Sequence, residues 1–274
     1  MSQIRYPVRI GLGGWLAFGL WGWILPLAAF WVWTGLQTRL GWTRATVESV
    51  AALAAITAAR FVGLSLYHRL LANRWPVTVV WDGAQIVSLP TDKNFPFLAS
   101  VALPFGLVMG VVANLMGWSA VIPDRWFWLL LGAPLASLAF VAGSLFLYNR
   151  VASPWLGAIQ VTADQGDGRM RAIAFQAASV RRATHLIVFL WVGAVTVVIA
   201  LLGGSLLTVL ARHIPAGIFG LEAGGFAVAV ALFLGFWGSA LLGIWYAAGA
   251  RVYRIWQNGG GGIWWQEAGS HEAS

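Results

Sequence analysis

Apolar residues in this chain come in long continuous runs. Six of them reach about 20 residues, enough to cross a bilayer as a helix. They run from Ile10 to Leu36, Val47 to Tyr67, Phe97 to Trp118, Trp126 to Tyr148, Thr184 to Leu210 and Leu221 to Ala250. The pattern predicts an all-α integral membrane protein with six transmembrane helices arranged as three helical pairs. A membrane β-barrel would show short alternating segments instead. The first run is longer than the core of a cleavable signal, about 7–15 residues, and no small-x-small site lies after it, so it is expected to stay as a helix. The chain reads as one membrane domain in three parts, 1–96, 97–183 and 184–274. Each part is a helical pair plus the cytoplasmic segment on its C-terminal side.

The segments between runs alternate in kind. Those after the first, third and fifth runs are short. Those after the second and fourth are longer and rich in β-formers. Pro76 to Asp82, Gly83 and then Ala84 to Leu89 predict a hairpin, because Asp-Gly between two β-rich runs suits a type I′ turn. Ile159 to Gly168 with Arg169 to Phe175 predicts a second hairpin with a longer, Gly-containing turn. After the sixth run, Ile255 to Gln266 places two short β-prone pieces around Gly259 to Gly262, which allows a third, smaller hairpin. Tyr67-His68-Arg69, Tyr148-Asn149-Arg150 and Tyr253-Arg254 precede the three. The recurrence suggests three copies of one unit. An aromatic belt and a charge bias put the same residues at helix ends in any membrane protein, and that simpler reading takes precedence. Open hairpin edges would suit docking to another chain.

Composition agrees with the pattern. The 274 residues are 59% hydrophobic and 9% charged, against about 25% charged in soluble domains. That excludes most soluble folds and also disorder. With no cysteine, disulfides and thiolate metal sites are excluded. The net charge of +8 reflects where the bases lie. With the N-terminus cytoplasmic, twelve Arg and Lys fall on the cytoplasmic side and four on the other. The positive-inside rule then puts both termini in the cytoplasm. The arginines Arg69, Arg74, Arg150, Arg181 and Arg182 are expected to meet inner-leaflet lipid phosphates, and no nucleic-acid partner is expected. Sixteen arginines to one lysine, with much Ala, Gly and Trp, suggest a bacterial chain of the inner membrane.

Small residues at every fourth position predict grooves for helix packing. Ala51, Ala55, Ala59 and Gly63 form one stripe, and Ala227, Ala231, Gly235, Ser239, Gly243 and Ala247 form another. Many of the eighteen tryptophans lie at run ends, as in an interfacial belt.

Candidate chemistry is sparse. No Gly-x-Ser-x-Gly elbow, His-Glu-x-x-His helix or phosphate loop occurs. Asp164 and Asp167 beside Gly166 and Gly168 read as a polar turn more simply than as a Ca²⁺ site. His68 and His185 lie near one boundary and are one conceivable haem pair. Interfacial His at helix ends is the simpler reading, so no cofactor and no metal are expected. His213 and His271 lie elsewhere.

Arg60 stands apart, as the only base inside a run, and Asn114 is a milder polar candidate for an interhelical bond. A charge at such depth costs about 2.5–3.5 kcal/mol and marks a functional candidate. No carboxylate of the chain is expected at its depth. Arg60 therefore snorkels to phosphates, or bonds carbonyls at a helix break near Pro26, Pro104 or Pro134, or meets another subunit or an anion. The expected function is a non-enzymatic subunit, a scaffold or adaptor, of a larger membrane assembly of secretion, conjugation, envelope or energy-converting machinery. The alternative is a small transporter or channel for an anionic or lipid-like substrate. A lipid or quinone enzyme trails both.

Overall fold

The computed structural model describes residues 2–5, 9–10, 21–37, 41–82, 84–115, 127–164, 170–211, 219–256 and 263–266. These residues are mostly helical. The helices are α1 (Trp21–Gln37), α2 (Gly41–Leu66), α3 (Thr91–Leu115), α4 (Ala133–Leu147), α5 (Ser153–Leu156), α6 (Ala177–Ala211) and α7 (Phe219–Trp256). A π-helical turn, Tyr67–Leu71, prolongs α2. Two more, Trp128–Gly132 and Tyr148–Ala152, flank α4. The strands are β1 (Ser2–Arg5), β2 (Arg9–Ile10), β3 (Thr78–Asp82), β4 (Gln85–Ser88), β5 (Ile159–Asp164), β6 (Met170–Phe175) and β7 (Ile263–Gln266).

Among the described residues, five helical stretches are long and apolar enough to cross a membrane. They are Ala45–Leu71, Thr91–Val112, Leu130–Leu156, Ala177–Val198 and Val228–Ile255. This points to a membrane location. Phe61, Phe146, Leu234 and Leu241 are exposed on these helices, the arrangement expected of side chains that face hydrocarbon. The first expected span is described only from Trp21, and its expected start is corrected: Ile10 belongs to strand β2. Three spans also end later than their apolar pattern suggested, the last at Trp256 rather than Ala250. Helical structure continues past Tyr67 to Leu71 and past Tyr148 to Leu156, because π turns carry it through the polar residues there.

The strands form one seven-stranded sheet in the order β1-β3-β4-β5-β6-β7-β2. Neighbouring strands run antiparallel. The two terminal positions in this order belong to neighbouring pieces of chain, since β1 ends at Arg5 and β2 begins at Arg9. Four residue steps span at most about 14 Å. Seven strands laid flat would set the outer two about 29 Å apart. The sheet therefore curls so that its two outer strands, β1 and β2, stay within that reach of one another.

The sheet corrects two expectations. Among the described residues of Ile255 to Gln266, Ile255 and Trp256 complete α7 rather than starting a strand, and Ile263–Gln266 form β7. Its partners are β6 and β2, the latter from the other end of the chain. Nor do the hairpin strands present open edges for docking, since β3 through β7 each have a partner on both sides.

The core beneath the sheet joins it to the helix ends. Val77, Val79, Ile86 and Val161 pack with Tyr67, Tyr148, Ala152 and Ala183. The helices pack in sequence, α1 on α2, α2 on α3, α3 on α4 and α6 on α7, and α7 returns to α1. Trp191 of α6 completes the circuit at α4. Its Nε1 donates to Ser144 Oγ at 3.0 Å, and its ring lies 5.1 Å from Phe140. Trp21 and Trp245 lock α1 to α7: each indole donates to the other's carbonyl, at 2.8 and 2.7 Å, and the rings stack at 4.6 Å.

Glycines open these contacts, as lipid-embedded packing requires. A Cβ on Gly63 would meet the Ser100 carbonyl of α3, one on Gly106 would lie 2.5 Å from Pro134 Cα of α4, and one on Gly143 would lie 2.6 Å from the Trp191 ring.

Candidate functional site

Arg60 sits on α2 between two buried residues, Ala59 and Gly63. The close α2–α3 approach at Gly63 brings up Phe105, whose ring centroid is 5.3 Å from the Arg60 guanidinium carbon. That distance is within cation–π range. The Tyr246 hydroxyl of α7 lies within electrostatic reach of the same group. Tyr246 reaches this place because Gly22 of α1 leaves room: a Cβ there would stand 2.6 Å from the hydroxyl. Side chains of α3 and α7 thus reach Arg60 of α2, and Gly22 of α1 makes room for the second of them. The neighbours of Arg60 include an aromatic face and a phenol.

Tyr246 carried a readable signal. It precedes Tyr253 by seven residues, as Arg60 precedes Tyr67. Seven residues are two helical turns, about 10 Å, so both groups stand at one height above the sheet. The matching position before Tyr148 is Val141.

A second polar contact joins α6 to α7. His185 Nδ1 lies 2.9 Å from Ser239 Oγ, and that hydroxyl donates to the Phe236 carbonyl at 2.8 Å. One hydroxyl has one proton to give, so the ring nitrogen is the donor to Ser239. Phe236 stands edge-on to the imidazole at 5.1 Å. Gly243 permits the approach, with its Cβ position 2.8 Å from the Arg181 carbonyl oxygen. The structure gives His68 a different neighbour, the Tyr67 ring at 5.5 Å. Among the described residues no group of three or more metal-ligating side chains occurs.

The third constellation is the junction between helices and sheet. Tyr67, Tyr148 and Tyr253 are buried there, 1%, 3% and 0% exposed. The Tyr67 hydroxyl donates to the Trp75 carbonyl at 2.9 Å. The Tyr148 hydroxyl donates to the Ile86 carbonyl of β4 and accepts from Ile159 N–H of β5 at 3.0 Å. Short polar side chains tie the remaining backbone. Asn94 of α3 accepts from Thr78 N–H at 2.7 Å and donates to the Thr78 carbonyl at 2.8 Å. Ser179 of α6 accepts from Gln160 N–H at 3.0 Å. Asn149 pairs with both backbone groups of Leu89, at 2.9 and 2.8 Å. Asn94 and Ser179 had no distinguishing sequence signal, because each resembles an ordinary residue near a helix end, whereas Asn149 stood out only as part of the Tyr148-Asn149-Arg150 junction.

Arg69, Arg74, Arg150, Arg181 and Arg182 are all exposed around this junction, as are Arg251 and Arg254. On the small-residue stripes, Ala59, Gly63, Ser239 and Gly243 are buried, while Ala55, Ala231 and Gly235 are half-buried or more open. Ala51 is exposed, because a spacing of four drifts about 40° per step away from the α3 face. The side chains of Asn114 and Ala227, the turn holding Asp167, and His213 and His271 lie outside the described residues. No family model matches the chain, and no characterised protein or solved structure matches it either.

Proposed function

We propose that the chain is a non-enzymatic multi-pass subunit, a scaffold or adaptor, of a larger assembly in the inner membrane of a bacterium. In this reading six spans run as three pairs, and each pair belongs to a strand–helix–helix–strand unit. The hairpins between units and the strands of residues 2–10 build a platform on the cytoplasmic side, with both termini there. The arginines of the junction rest on inner-leaflet phosphates. Assignment of that side comes from the bases, which concentrate at the sheet end.

The observation that carries the proposal is the sheet itself. Strands that enter and leave three separate helical stretches converge on one curled body at the basic end. Strand β2, near the start of the described chain, pairs with β7, near its end, and such a joined surface is what an assembly point needs. Purification of the tagged chain from its native membrane in mild detergent, with mass measurement of the product, tests this. A defined complex with other membrane subunits at fixed stoichiometry is expected. A lone, monodisperse chain from native membranes would overturn the reading.

The placement of Arg60 favours a second reading, a small transporter or channel for an anionic or lipid-like substrate. Arg60 meets side chains of α3 and α7 rather than the outer lipid alone. Anion flux into vesicles that contain the purified chain, abolished by Arg60→Leu, would move the balance to that function.

A further inference from the structure

Tyr67 and Tyr148 each begin a π-helical turn, whereas Tyr253 lies within regular α-helix. A π turn closes hydrogen bonds one residue further along the chain than an α turn, so it holds one residue more. With His68 and Asn149 taken as the extra residues, the three junctions share one order. They read Tyr67, Arg69, Leu70; Tyr148, Arg150, Val151; and Tyr253, Arg254, Ile255. In each, a buried tyrosine precedes an exposed arginine and then an aliphatic side chain.

Each junction also closes an apolar span, since three of the candidate spans end at Leu71, Leu156 and Ile255. Leu70 and Ile255 are 66% and 71% exposed, and Trp155 beside the second junction is 80% exposed. An exposed guanidinium and an exposed apolar side chain thus stand near the end of each of these apolar stretches.

We propose that the three junctions are equivalent seats for anionic phospholipids of the leaflet next to the sheet. Each arginine takes the lipid phosphate, whose paired oxygens match its planar fork. The neighbouring aliphatic or tryptophan side chain meets the upper acyl chain. The buried tyrosine fixes the height of the seat, and in the first two junctions its hydroxyl ties it to backbone at the foot of the sheet. The proposal rests on the reading that the junction arginines meet inner-leaflet phosphates, while its test on the isolated chain fails or succeeds separately from the assembly reading.

The test adds dioleoylphosphatidylglycerol to the full chain purified in a neutral detergent, with bound lipids counted by native mass spectrometry and the melting temperature tracked. The wild type should retain up to three such lipids and melt higher as they are added. Each arginine near an anionic surface is worth about fivefold in affinity, so Arg69→Gln/Arg150→Gln/Arg254→Gln, which removes one arginine from each seat, should weaken lipid binding at every seat about fivefold. Its melting temperature without lipid should match the wild type. The corresponding triple Lys variant should recover most of the binding. Inorganic phosphate at matched concentration should give no stabilisation. Equal lipid binding by the Gln variant and the wild type would overturn the proposal. So would a loss of lipid-free stability as large as the loss of the lipid effect, which would make the arginines charges that complement helix ends. Stabilisation by phosphate alone would replace the lipid with a free anion and overturn it as well.

Discussion

Arg60 of α2 and Tyr246 of α7 interact electrostatically, and each stands two helical turns before a buried junction tyrosine. A base this deep in an apolar run is costly by itself. Here the face of Phe105 stands within cation–π range of the guanidinium. The pair therefore couples helices from opposite ends of the sequence.

That coupling is measurable. Arg60→Leu, Tyr246→Phe and the double variant form a cycle, read by thermal unfolding in mild detergent. Groups in contact show interaction energies of about 0.5–3 kcal/mol, and a favourable coupling in this range is expected. Strict additivity would mean that Arg60 turns to the phosphates instead.

Glycine contacts set a second contrast. Gly63→Val should be poorly tolerated, because its side chain would occupy the Ser100 carbonyl. Overpacking of this kind costs about 1–3 kcal/mol or more. Gly238→Ala has nothing within 4 Å of the new methyl and should stay within about 0.5 kcal/mol of wild type. Yields and melting temperatures of the two variants, measured side by side, check the ranking.

The foot of the sheet predicts a third effect. Asn94→Ala removes the partner of both Thr78 backbone groups. An unsatisfied buried group costs about 1–3 kcal/mol. Hydrogen exchange should rise first in Thr78–Asp82 and its neighbour Gln85–Ser88, with the membrane helices still protected. Uniform loss of protection throughout the chain would contradict this local role.

Orientation can be tested with single cysteines, since the chain has none of its own. Arg74→Cys lies by the sheet and Thr43→Cys near the start of α2, both exposed. An impermeant maleimide should label Arg74→Cys in inside-out vesicles and Thr43→Cys in intact spheroplasts. The reverse pattern would invert the topology.

Much of the fold is legible in the residues, and the failures have physical causes. Helices that cross hydrocarbon must satisfy their own backbone, so their apolar runs read directly from sequence. Their ends read less well, because Asn149 and Arg150 look like a stop. Asn149 is instead held within a π turn by Leu89. The three junction tyrosines are visible as a pattern, but their burial is not. The partner of β7 is beyond reach of any local pattern. Ile263 pairs with Ile10, and nothing near either residue signals the other. Ile10 even extends an apolar run, which makes a strand look like the start of a span. Arg60 draws notice by its charge, whereas Tyr246 emerges only when the seven-residue spacing is compared between helices.

Closure of the sheet by the first and last segments of the chain is the central claim. The direct test is a disulfide between Ile10→Cys and Ile263→Cys, which are opposed residues of β2 and β7. Directly opposed antiparallel residues have Cα atoms about 4.5–5.5 Å apart, within the span a disulfide bridges. Mild oxidation of native membranes should join the two positions within one chain, seen as a mobility shift that a reductant reverses. A Gln3→Cys/Val80→Cys control should link β1 to β3 in the same way. If the control links and the Ile10–Ile263 pair stays reduced, the sheet is open and the closed platform is wrong.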